Sequence, residues 1–198
     1  MVRSCRPTRC CSGRPSSDAA LAAWAPLSSS VRVTIINWAR KLISEKARAT
    51  IALRLFGLAK IPMMFYARPS VAEISPERIV VRIPLRRRTR NHLGSMYFGA
   101  LSVGADCAAG ALAMHLIRQR PERISLVISD FSAEFLKRAE GDVDFCCCQG
   151  HEISNLIAQA AASDERVEMP VRVVATVPDQ GNDPVATFKL TLSLKRRP

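Results

Sequence analysis

Hydrophobic and polar positions change their rhythm several times along the chain. Over residues 78–85, Ile79, Val81, Ile83 and Leu85 alternate with Arg78, Val80, Arg82 and Pro84. A period of two predicts a half-buried strand. Before it, residues 34–60 follow a helical rhythm, with Ile35, Trp38, Leu42, Ala49, Leu53 and Phe56 roughly on one face and Arg and Lys between them. That segment reads as a helix packed against a domain, or as one lying on a membrane surface. Pro62 ends it, and Val71 to Ile74 suits a short strand.

Residues 91–98 form a glycine-containing loop, and 99–117 read as a helix. Strands are expected over 125–136, 143–148, 167–177 and 185–194, with a short helix over 152–162. In the first of these strands Val127, Phe131 and Phe135 are assigned to one face. Gly141-Asp142 marks a turn, and residues 180–184 mark the last hairpin. The order is strand, long helix, then several strands, and no internal repeat is seen. It predicts an α+β fold in which an antiparallel sheet wraps a central helix, preceded by an N-terminal helix. The central helix carries Ala100, Gly104, Ala105, Ala108, Ala109, Gly110, Ala111 and Ala113, so a curved sheet can approach it closely.

That helix also carries the most conspicuous chemistry. From residue 91 to 117, Asp106 is the only formally charged side chain. Asp is a poor helix-interior residue, and burying its carboxylate unpaired is costly. It is either satisfied by backbone donors or an arginine, or kept reactive in a partly dry cleft. The free N–H groups at the helix start, near Phe98 to Leu101, can polarise a carbonyl oxygen. Together with the Asn91 amide, they suit attack on a thioester.

Composition adds constraints. The chain has 198 residues, 48% of them hydrophobic, and a formal charge of +12. One domain with short appendages is expected: a leader or targeting segment over 1–30, a helical segment over 31–69 and the main domain over 70–198. Basic residues cluster at Arg3 to Arg14, Arg86 to Arg90 and Lys195 to Arg197, which favours anionic partners without choosing among them. No aromatic-interleaved basic surface points to nucleic acid. Seven cysteines, several adjacent, fit a reducing compartment. A cytoplasmic protein is expected, with organellar targeting as the alternative. Cys146-Cys147-Cys148 with His151 is not expected to hold a metal, since consecutive strand residues point to opposite faces. The nearest approach to a membrane span is 31–58, interrupted by charges. Cys107 and His115 read as packing residues, and Asp130 and Glu134 as surface salt-bridge partners.

The run Asn91-His92-Leu93-Gly94-Ser95-Met96-Tyr97-Phe98-Gly99, followed by Gly104-Ala105-Asp106, resembles the central motif of hotdog-fold thioesterases of the phenylacetyl-CoA thioesterase type. There, an Asn, a Gly and then His-Gly-Gly open the central helix, and an acid follows nine positions after the His. Tyr97 stands in the place of the His, Gly99 in that of the last Gly, and Asp106 in that of the acid. Phe131 to Asp142 resembles the following strand and turn, and Val171 to Leu194 the closing hairpin. The likeness spans about residues 70–194. It is similar to a branch known mainly as an uncharacterised domain, near the thioesterase domain fused to some acetyltransferases.

The resemblance implies hydrolysis of an acyl-CoA or related acyl thioester, without cofactor or metal. Asp106 would act as general base or nucleophile, the Gly99 N–H would hold the thioester oxygen, and Asn91 would orient water or the carbonyl. His92, Gly94, Tyr97 and Phe98 would line the substrate site. Arg86 and Arg88, in the basic cluster just before the motif loop, would by their charge either meet the coenzyme A phosphates or form a solvated basic edge. It also implies a homodimer, or a dimer of dimers, with a site shared between subunits. Replacement of the His by Tyr97 leaves a second reading, a non-catalytic acyl or acyl-CoA binding module. A basic scaffold protein is the third.

Overall fold

The computed structural model describes residues 44–181 and 183–197. The leader expected over 1–30 lies outside them, as do Ile35, Trp38 and Leu42 of the first predicted helix and Asn182 of the last hairpin.

Helix α1 (Glu45–Lys60) starts where the Ser44 hydroxyl accepts the Ala47 N–H at 3.3 Å, an N-cap that satisfies one unpaired donor. Pro62 ends α1 but also opens a second, short helix, α2 (Pro62–Ala67). Proline lacks the N–H that a first helical turn leaves unused, so it can start the helix it could not continue. Leu53, Met64 and Ala67 from these helices join the same core as the sheet.

The strands follow: β1 (Ser70–Ile74), β2 (Ile79–Ile83), then the central helix α3 (Phe98–Ile117), β3 (Ile124–Phe135) and β4 (Val143–Cys147). Helix α4 (Gly150–Ala162) precedes β5 (Val167–Thr176) and β6 (Pro184–Arg196). All six strands form one sheet in the order β1-β2-β4-β5-β6-β3, antiparallel at every described pairing. This is the expected α+β, sheet-around-helix layout.

Alternation explains the core. On β6, Ala186, Phe188, Leu190, Leu192 and Leu194 are buried, and they point to the helix side. Helix α3 answers with Leu101, Ala105, Ala108, Leu112 and Ala113. Helix α4 lies beside α3 and buries Ile153, Leu156, Ile157 and Ala160, a stripe at helical spacing. On the outer face, Arg82 and Asp144 are directly opposite across β2 and β4 and form a bidentate pair at 2.6 and 2.7 Å.

Two features differ from the sequence expectation. A bulge between Ile128 and Asp130 reverses the facing of β3. Val127 therefore lies opposite Ser193 on the outer face, while Phe131 and Phe135 lie opposite Leu190 and Ala186 on the inner one. Their rings come within 5.9 and 6.1 Å of the Phe188 ring. Second, α3 is itself long and apolar enough, by length and composition, to cross a bilayer. Its apolarity has another cause, for it runs through the centre of the sheet and 11 of its 20 residues are buried.

Close approach makes glycine necessary at one point of α3. A Cβ on Gly104 would overlap the fully buried Phe145 ring of β4. At Gly110 the only nearby atom is Asp106 Oδ1, at an ordinary 3.7 Å. Gly104→Ala should therefore destabilise the protein by about 1–3 kcal/mol, as overpacking does. Gly110→Ala should stabilise it by about 0.5–1 kcal/mol through helix propensity. Denaturant unfolding of both variants checks this, and equal shifts would show that the helix does not press on the sheet at Gly104.

Candidate active site

The loop between β2 and α3 is held by a polar residue inside the arginine cluster. Thr89 is almost fully buried. Its hydroxyl donates to the Pro84 carbonyl at 2.7 Å and accepts the Arg86 N–H at 2.9 Å. Its carbonyl accepts the Tyr97 N–H at 2.8 Å, and the Met96 N–H donates to the Ala139 carbonyl at 2.8 Å. These bonds fix where α3 begins. Thr89 was missed in the sequence because nothing there shows that an uncharged residue among arginines is buried.

Asn91 organises the next turn. Its Oδ1 accepts the Leu93 N–H at 2.9 Å, and its Nδ2 donates to Ser95 Oγ at 3.1 Å. This is a local side-chain turn of the kind Asn favours. Gly94 takes φ +89°, a left-handed conformation that suits glycine. The polar atoms of Asn91 thus bond within the loop itself. His92, Tyr97 and Phe98 are exposed, with the Tyr97 and Phe98 rings 4.6 Å apart.

Tyr97 stands at the N-cap of α3 and supplies no side-chain cap. Its carbonyl takes the Ala100 and Leu101 N–H groups. The Phe98 and Gly99 N–H groups have no partner among the described residues. Two open donors at the positive end of a 20-residue helix suit a developing negative charge on oxygen.

Asp106 lies two turns further along the same face. It is half-buried, and among the described residues it has no hydrogen-bond or ion-pair partner. Burial raises its pKa above the ordinary carboxylate value. The alternative of an Asp satisfied by backbone donors or an arginine therefore does not describe this side chain. Cys107 points the other way into the core, and burial, then the neighbouring Asp106 charge, pushes its thiol pKa up.

The arginines sit elsewhere. Arg88 stacks over the Tyr66 ring at 5.1 Å and donates to the Tyr66 carbonyl at 3.3 Å, so it faces α2. The Arg86 side chain is exposed. Asp130 and Glu134 are exposed on the outer face of β3 and make no ion pair among the described residues, contrary to expectation. Cys147 is buried. Cys146 and Cys148, two residues apart, bring their sulfurs within 3.1 Å. His115 packs against Gln119 at 3.2 Å on α3.

A family model described as "Domain of unknown function (DUF4442)" matches residues 49–194. The chain belongs to this family. The DUF4442 match begins within α1 and ends within β6, so it takes in most of α1, all of α2 and all but the last residues of the sheet. No curated protein matches the chain. Among solved structures, it is similar to a candidate thioesterase from Shewanella oneidensis, with TM-score 0.64 and 11% identity over 75% of this chain and 98% of that one. It is also similar to a Pseudomonas aeruginosa protein of unknown function, described as a probable thioesterase, with TM-score 0.60 and 21% identity over 75% of this chain and 96% of that one. A thioesterase from Haemophilus influenzae gives TM-score 0.54 and 15% identity over 72% and 88%. At these identities the likeness is one of fold, and the fold is the hotdog.

The unpartnered carboxylate has a consequence for stability. An unfolded Asp titrates near ~3.9, and folding raises the Asp106 pKa by desolvation. The folded state is therefore favoured with Asp106 neutral, and that advantage is lost as pH rises through the folded pKa. Asp106→Asn keeps the site neutral at every pH. The variant should be more stable than the parent at neutral pH, by a margin that closes as pH falls toward about 4. Urea midpoints across that range read it, and a variant less stable at pH 7 would mean the carboxylate is held by favourable bonds.

Proposed function

We propose that this protein hydrolyses an acyl-CoA or related acyl thioester, as the resemblance to the phenylacetyl-CoA thioesterase branch implies. The observation that carries the reading is Asp106: a half-buried carboxylate on the central helix of a hotdog fold, without a partner among the described residues, with N–H donors at that helix's start that are likewise open among them. Water attacks the thioester carbonyl carbon while Asp106, as general base, takes a proton from it. The raised pKa makes Asp106 a stronger base than an ordinary carboxylate. The carbonyl oxygen gains charge at the Phe98 and Gly99 N–H groups. The carbon–sulfur bond then breaks, and the proton on Asp106 goes to the leaving thiolate. A direct attack by Asp106 as nucleophile uses the same carboxylate. Asn91 serves by shaping the loop. His92, Gly94, Tyr97 and Phe98 border the entrance; Arg88 is turned to Tyr66, which leaves the exposed Arg86 to carry the charge for the nucleotide phosphates.

Geometry favours two copies. Gly99 and Asp106 are seven residues apart, about 10 Å along a helix that rises ~1.5 Å per residue. The free N–H groups of a helix start point toward its N-terminal end and so away from Asp106, whose Oδ1 lies 3.7 Å from where a Cβ on Gly110 would be. One thioester cannot meet both within hydrogen-bond reach of about 3 Å. Two copies with antiparallel α3 helices would bring Gly99 of one beside Asp106 of the other. β3 supports this arrangement. It is an edge strand of 12 residues, and Phe131, Phe135 and Leu136 remain 39–50% exposed at that side. Such edges aggregate unless covered.

Two measurements test this. Against a panel of acyl-CoA esters, Asp106→Asn should lower turnover by roughly two to four orders of magnitude while the protein stays folded. Near-native turnover per folded molecule would end the assignment. Gly99→Pro removes the N–H at a position where an early helical turn tolerates proline. Coexpressed Asp106→Asn and Gly99→Pro chains should regain activity that neither has alone, because a mixed dimer holds one intact site. Absence of rescue in a mixed dimer of confirmed composition would place both groups of each site on one chain.

A second reading is favoured by the exposed Tyr97–Phe98 pair, which stands where the resembling family has His-Gly. It is an acyl or acyl-CoA binding module without turnover. A co-purified acyl ligand together with no hydrolysis of any ester in the panel would support it.

A further inference from the structure

The N-terminal helices are apolar on two sides, and the core accounts for only one of them. Leu53 and Gly57 of α1 face inward and are buried. On the other side Ile51, Leu55 and Leu58, at helical spacing of four and three, are 49%, 60% and 56% exposed. Helix α2 continues the surface with Met63 at 67% and Tyr66 at 55%. Scattered exposed apolar residues need no explanation, but a contiguous stripe over two adjoining helices does.

The segment that carries the stripe is mostly basic. Between residues 44 and 68 the basic residues are Lys46, Arg48, Arg54, Lys60 and Arg68, against Glu45 alone. The fold adds more. By stacking Arg88 on Tyr66 it draws the Arg86 to Arg90 segment, far along the chain from α1, against the end of this surface. Arg86, Arg87 and Arg90, its neighbours in the chain, are exposed as well. A second copy of the chain laid on this surface would bring like charge against like. An anionic bilayer complements both features. Its acyl layer takes the apolar stripe, and its phosphates meet the lysines and arginines.

We propose that the α1–α2 surface docks the protein on a membrane rich in anionic phospholipid, with Leu55, Leu58 and Met63 entering the acyl boundary. The docking does not depend on the chemistry at Asp106. It would set a thioester-handling site beside the membrane.

The test uses the full chain and vesicles of phosphatidylcholine with or without phosphatidylserine. The protein should float with the phosphatidylserine vesicles and not with phosphatidylcholine alone, and the binding should weaken as salt is raised. Leu55→Glu with Leu58→Glu should reduce the bound fraction by more than about tenfold, since apolar area and charge act together at the interface. Lys60→Glu should weaken binding without abolishing it. Both substitutions are at exposed positions, so thermal unfolding should stay cooperative and near that of the parent. No flotation would overturn the proposal. So would flotation unchanged by the double leucine variant, which would place the lipid contact in another basic segment. A change in oligomeric mass with Leu55→Glu and Leu58→Glu in the absence of lipid would overturn it too, by showing that the stripe is covered by another copy. Unmasking of the stripe to protease on deletion of residues 1–43 would overturn it by showing that the chain's own N-terminal segment covers it.

Discussion

The distance between the central helix and the sheet governs much else in this molecule. Phe145 of β4 stands where a side chain at position 104 would be, and Gly104 yields that space. Ala105, Ala108, Ala109 and Ala113 keep the same helix slim along its length, and all are fully buried. Tight packing of this kind gains many small dispersion contacts and tolerates little added volume. It also strips the helix of charge. A carboxylate among such neighbours loses water without gaining a partner, which is the condition of Asp106 among the described residues.

The same constraint shapes the candidate site. A helix that must begin at a defined place needs its first turn anchored, and here the anchor is backbone and Thr89 rather than a capping side chain. With Tyr97 at the N-cap and no side-chain acceptor, the Phe98 and Gly99 N–H groups stay available. An Asp or Ser at that position would have used one of them. The open donors and the unpaired acid thus follow from one design: a slim helix, uncapped at its start and charged once in its middle. Their separation along the helix is what makes a second copy attractive for turnover.

Edges and surfaces carry the remaining tension in the fold. The bulge in β3 turns Phe131 and Phe135 inward, where they meet Phe188, yet both rings stay partly open to solvent at the sheet's end. The α1–α2 surface is likewise apolar and open, but ringed with positive charge. The first surface continues the sheet and the central helix, which favours a copy of the same fold. On the second, basic residues outnumber the one acid, Glu45, which favours an anionic partner.

Local pattern was enough to locate every described strand, the helices α3 and α4 and the end of α1 to within a few residues, because burial on one face imposes a period of two or 3.6 whatever the partner is; the helix expected from residue 34 starts only at Glu45, behind the Ser44 cap. The short helix after Pro62 was not legible, since proline both ends one helix and starts the next. Asp106 and Gly99 were legible too: a lone acid in an apolar helix and a glycine at its start stand out without coordinates. What the tertiary structure decided was how these groups are satisfied. Only packing shows that no arginine among the described residues pairs with Asp106, that Asn91 bonds within its own loop, and that Arg88 is drawn to Tyr66. The facing of Phe131 likewise depends on a bulge defined by its partner strand β6, not by its own alternation. Periodicity is a property of neighbours along the chain, whereas hydrogen-bond partners and strand register are set by residues tens of positions away, and no local pattern encodes them.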